Sequence, residues 1–197
     1  MREENAMAYQ THTEGGDCRE MSMNVIPNDP RRHVFRYDEH MPDTRDLSLI
    51  VLKGHLLVEE MLVELSRVLL PNAGFQEEAR LTFHQLAHIV RAAEPTKPND
   101  ECWDLVLALN SLRNELVHNL EPPKLELRLR ALFTVAGKVQ ADWDMAIDKS
   151  RDSELETDER LRQAVIDCMQ FVRGLIFEHE KRRRNTPCPP REATIES

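Results

Sequence analysis

The chain's 197 residues, 41% hydrophobic and 31% charged, suffice for one domain with a packed core plus tails. A net charge of −9 excludes a surface uniformly suited to nucleic acid, yet leaves room for a local basic groove, because steering depends on how charge is distributed. Cys18, Cys102, Cys168 and Cys188 lie too far apart for a zinc-ligand pattern or a dense disulfide framework.

Residues 1–45 are polar, mixed in charge and interrupted by Pro27, Pro30 and Pro42. Such a segment buries too little apolar area to order itself, so a largely disordered arm is expected, with Val34-Phe35 as a short piece able to dock. Its first twenty residues lack an apolar signal core, and no run in the chain approaches the roughly 20 apolar residues of a membrane span. A reducing cytoplasm and no membrane association are expected.

The domain proper is expected over 46–184. Leu47, Ile50, Val51, Leu57, Val58, Met61, Leu62, Leu65 and Leu69 recur with helical period and predict a helix over about 46–70, capped by Asp46 and stopped at Pro71. A second helix is predicted over about 76–93, with Leu81, Phe83, Leu86, Ile89 and Val90 as its stripe. A third runs from about 100 to 120, between the breaker 94–99 and Pro122-Pro123. Residues 125–130 alternate as a strand would, but they lack β-branched side chains and lead into a helical stretch, so helix is expected from 125 to about 147. The pattern Ser153-x-x-Glu156 predicts the start of a last helix, whose buried face is Leu161, Val165, Cys168, Met169, Val172 and Ile176. It ends in Lys181-Arg182-Arg183-Arg184, and 185–197, with three prolines, reads as a flexible tail. About five helices with short links make an all-α, up-down bundle.

The third helix carries the most suggestive chemistry. At about 100° per residue, Leu105, Leu109, Leu112 and Leu116 form its core face. The opposite face holds Asn110, Asn114 and His118, with Leu107 and Val117 among them. Apolar residues mixed with weakly charged polar ones predict a face that is itself covered, by a second subunit or by another helix. Arg113 lies on the flank between the two.

The run Leu112-Arg113-Asn114-Glu115-Leu116-Val117-His118 resembles the R-x(4–6)-H motif of the HEPN superfamily of helical bundles. That resemblance implies a homodimer whose motif helices meet in a composite cleft that cuts RNA without metal or cofactor. In this chain it implies catalytic roles for Arg113, Asn114 and His118. His118 would take the proton of a ribose 2′-hydroxyl, Arg113 would hold the scissile phosphate by a charge-assisted fork, and Asn114 would orient the ring or the substrate. The product would be a 2′,3′-cyclic phosphate. Position 120 is Leu120, where one toxin branch of the superfamily has Tyr, so the match to that branch is incomplete. Residues 54–60, Gly54-His55-Leu56-Leu57-Val58-Glu59-Glu60, and again 112–118, are also similar to mannitol-repressor-like proteins, which implies a non-catalytic regulatory module. The partners implied are a second copy, RNA, and a cognate antitoxin or regulatory protein.

Asn110, His55 and Glu59 are candidate substrate-binding supports for such a cleft, although His55 and Glu59 read first as a surface i, i+4 pair. His84 and His88 have the spacing of a two-histidine metal site, but the glutamate of H-E-x-x-H is missing and no third ligand is evident, so no metal is expected. Lys181–Arg184 and Arg31-Arg32-His33 are candidate phosphate contacts. Trp103 and Trp143 are expected as core or interface anchors. No Gly-rich phosphate loop and no G-x-S-x-G elbow is present. If the back face of the third helix is covered by the same chain, the nuclease reading loses most of its force.

Overall fold

A computed structural model describes residues 32–72, 79–94, 100–143 and 156–185. Among these residues the secondary structure is six helices and no strand: α1 (Arg32–His40), α2 (Leu47–Leu69), α3 (Phe83–Ala93), α4 (Asp100–His118), α5 (Leu125–Asp142) and α6 (Thr157–Asn185). The expected all-α bundle is what the chain forms.

Asp46 caps α2 as the sequence suggested, its carboxylate accepting from the backbone N–H of Ser48 at 2.9 Å and of Leu49 at 3.2 Å. α3 begins later than the apolar pattern implied. Arg80 takes a left-handed φ of 47°, and Thr82 then caps the helix in a reciprocal box with Gln85. Those bonds satisfy amide groups of the first turn, so Leu81 lies outside α3; residues 76–78 of the expected helix fall outside the described residues. The start expected at Ser153 falls outside the described residues; α6 is helical from Thr157.

The expected arm needs a correction over 32–40, which is helical. His33 and Tyr37, four apart, turn inward, and Met41 follows them onto the core. Val34 and Phe35 therefore face outward, the reverse of the expected docking, because a helix cannot bury neighbouring positions equally. Arg162 of α6 pins the segment by donating to the carbonyls of Pro42 at 2.7 Å and Thr44 at 2.6 Å.

Every helix from α2 to α6 contributes to one core, with Leu62, Leu65, Trp103, Leu109, Leu112, Leu132, Leu161 and Val165 fully buried. α2 and α6 approach closely at Gly54, where an added Cβ would stand 2.5 Å from Val165 Cγ2. The direction of the last helix departs from strict alternation. Arg160 lies over the Phe133 ring and Gln140 bonds Asp167, each pair 27 positions apart, so α5 and α6 run the same way. The fourteen-residue link 143–156 is long enough at about 3.3 Å per residue to return along an eighteen-residue helix rising about 1.5 Å per residue.

Candidate functional site

α4 meets α2 along a stripe that is apolar except for one polar layer. Val106 and Leu109 are buried there; of the next positions on the same side, Asn110 bonds His55 of α2, and the charge of Arg113 acts on His55 and Glu59. His55 is 4% exposed and Asn110 7% exposed. The His55 Nε2–H donates to Asn110 Oδ1 at 3.1 Å, and the Phe83 ring of α3 covers the imidazole with centroids 4.2 Å apart.

Burial holds the His55 pKa below its ordinary value; the Asn110 bond works against this, and the Arg113 charge adds to it. Glu59 Oε2 lies 3.9 Å from His55 Nδ1. With the imidazole kept neutral by desolvation, that approach is a polar contact rather than an ion pair at neutral pH. Burial raises the Glu59 pKa while the Arg113 guanidinium opposes the rise. His55 is thus a core histidine, not half of a surface pair, because Asn110 of α4 and the Phe83 ring of α3 enclose it.

Arg113 is half-buried. One terminal nitrogen donates to Asn114 Oδ1 at 3.1 Å, and its Nε is buried with no hydrogen-bond acceptor among the described residues. Asn114 is half-buried, and His118, the last residue of α4, is exposed. The back face of α4 therefore grades from closed to open. α2 of the same chain covers it at Asn110, and nothing in the described chain buries it at His118. His118 lies five positions after Arg113, about 140° around the helix and about 7.5 Å along it.

Sequence reasoning missed two residues near the turn from α4 to α5. Glu115 accepts from Asn119 Nδ2 at 3.3 Å and from the Lys124 backbone N–H at 3.1 Å, which braces the turn after His118. Arg128, early in α5, is half-buried and its Nε also lacks an acceptor among the described residues. Glu115 sat in plain view inside the motif; nothing in the spacing of Arg128 marked it.

The remaining candidates separate. His84 and His88 are exposed on α3 with Nε2 atoms 3.2 Å apart, and no group of three or more His, Cys, Asp or Glu that could hold a metal occurs among the described residues. His33 is buried with Glu64 3.7 Å away, which removes it from the basic run at 31–33; Arg31 lies outside the described residues. Lys181–Arg184 are exposed at the end of α6. Trp103 is a core anchor, edge-on to Phe171 at 5.1 Å, and Trp143 is partly buried against the core. No helix among the described residues is long and apolar enough to cross a membrane. Comparison with protein-family models, with curated proteins and with solved structures finds no match to this chain.

Proposed function

We propose that two copies of this chain form a HEPN-like, metal-independent endoribonuclease of the toxin or defence type, in which Arg113, Asn114 and His118 contact the RNA. The observation that carries the reading is Arg113: a half-buried guanidinium held by Asn114 Oδ1 at 3.1 Å, on the helix that ends in the exposed His118. A cation so placed is suited to a phosphate oxygen. His118, exposed on the same helix, supplies the base for the 2′-hydroxyl and returns a proton to the leaving 5′-oxygen. The large angle between Arg113 and His118 favours a cleft shared by two α4 helices over one served by a single chain. Val117, 46% exposed, and the exposed Leu120 offer apolar contact beside it.

The geometry redistributes the supporting roles. His55 and Asn110 are bonded to each other and enclosed, so in this reading they hold α2 against α4 and set the Arg113 field rather than touch substrate. In this reading the cleft is confined to the 113–118 end of the helix.

Cleavage of a broad RNA panel in EDTA, by wild type, Arg113→Ala and His118→Ala, tests the proposal. Cleavage to 2′,3′-cyclic phosphate ends, lost in both folded variants, supports it; no cleavage by wild type defeats it. A second reading rests on the own-chain cover over Asn110 and the exposed Val117 and Leu120: a non-catalytic regulatory module, similar to mannitol-repressor-like proteins, that docks a protein partner through this end. It predicts no cleavage, and loss of partner capture in Val117→Asp. A cytoplasmic location and a cognate antitoxin belong to the first proposal.

A further inference from the structure

His84 and His88 stand one turn apart on a helix whose other side is firmly held. Phe83, Leu86, Ala87 and Val90 are buried in the core, and the Thr82–Gln85 capping box fixes the first turn. The backbone beneath both imidazoles is therefore set before any ligand arrives. The two rings are exposed and tilted 60° to each other, with centroids 4.4 Å apart and Nε2 atoms 3.2 Å apart.

That separation has a chemical reading. Two imidazole nitrogens, each about 2.0–2.1 Å from one zinc ion at a near-tetrahedral angle, stand about 3.3–3.4 Å from each other. The observed spacing is within reach of that value by a slight turn of either ring. We infer that His84 and His88 form a two-histidine site for a divalent d-block cation, of which Zn2+ is the representative, with water in its remaining positions.

Without metal, the two nitrogens share one proton, Nε2–H of one ring donating to the lone pair of the other. On binding, that proton moves to Nδ1 of its own ring, so both rings become Nδ1–H tautomers and both Nε2 lone pairs face the cation. No net proton is released from neutral rings. Two imidazoles select Zn2+, Cu2+ or Ni2+ over Mg2+ and Ca2+, which prefer oxygen ligands. With no third protein ligand in the described set, binding is exchangeable, unlike that of a closed structural site. Phe83, which covers His55, precedes His84 in the same turn, so a bound cation clamps the turn that closes the polar layer.

Isothermal titration of the tag-free full chain with Zn2+, repeated with Mg2+, tests the inference. The expected result is one Zn2+ per chain, a loss of at least tenfold in affinity in His84→Ala and in His88→Ala, unchanged affinity in His40→Ala, and no Mg2+ binding. Cu2+ provides a second readout through nitrogen hyperfine structure from two equivalent ligands in its electron paramagnetic resonance spectrum. Helical content by circular dichroism shows that the variants fold. No Zn2+ binding by wild type at millimolar concentration, or binding undiminished in the double variant, overturns the site. The ribonuclease assay is run in EDTA, so the two proposals fail independently.

Discussion

Replacing Gly54 by alanine tests the close approach of α2 and α6. The added methyl would stand 2.5 Å from Val165 Cγ2 and 2.9 Å from Cγ1, against about 3.5–4.0 Å for carbon atoms in ordinary contact. Relief requires roughly 1 Å of movement by Val165 or by α6 against α2. Val165 is fully buried, and a valine in a helix has one strongly preferred rotamer, so the strain falls on the helix pair. Overpacking of this kind costs about 1–3 kcal/mol, and alanine recovers about 0.5–1 kcal/mol of helix propensity. With two contacts inside 3 Å, a net destabilisation of about 1–2 kcal/mol is expected. Urea unfolding followed at 222 nm should show a lower midpoint with unchanged slope. Adding Val165→Ala makes room for the methyl, so the double-variant cycle should show favourable coupling. Gly174→Ala is the control: nothing lies within 4 Å of its added Cβ, so a gain of about 0.5–1 kcal/mol is expected. A Gly54→Ala chain as stable as Gly174→Ala would refute the close approach of α2 and α6.

Asn110→Ala leaves the buried His55 Nε2–H without its acceptor and should cost about 1–3 kcal/mol in the same unfolding assay; Asn110→Asp, which keeps an oxygen there, should restore part of the midpoint. His55 has its pKa lowered by folding, so the unfolded chain binds the proton first as pH falls below the ordinary histidine value. Its contribution to stability is present above that value and declines as pH drops toward the folded pKa. Unfolding series from pH 7.5 to 5 should show that decline in wild type and a shallower one in His55→Gln. Asp167 is fully buried between Gln140 Nε2 at 2.7 Å and Gln163 Nε2 at 2.9 Å, and burial raises its pKa. Here the unfolded carboxyl ionises first as pH rises, so wild type loses stability from the ordinary aspartate range up to the folded pKa. Asp167→Asn should gain on wild type across that rise; a stability difference independent of pH would show that the carboxyl does not titrate differently on folding.

The helical character of this chain was legible because its buried positions recur with a 3.6-residue period, and local caps such as Asp46 need nothing beyond their own neighbours. The core leucines of α4 could be named from a helical wheel for the same reason. Asn110 could not be read that way. The wheel sets it on the face away from Leu112, but it is buried because His55 arrives from α2 with a matching N–H. His55 looked like half of a surface pair, yet Phe83 of α3 and Asn110 of α4 close over it. In 32–40, a polar composition implied disorder, yet His33 and Tyr37 meet the core and Arg162 binds the carbonyls that follow. The motif Arg113-Asn114-x-x-x-His118 was visible at once, but only the packed helices show that its first end is enclosed and its last is open. The amino-acid sequence by itself determined which segments coil and which side of each is apolar, since those follow from short-range periodicity. Which polar side chains leave water was decided only in the tertiary structure, because a buried polar group must find its partner on another helix.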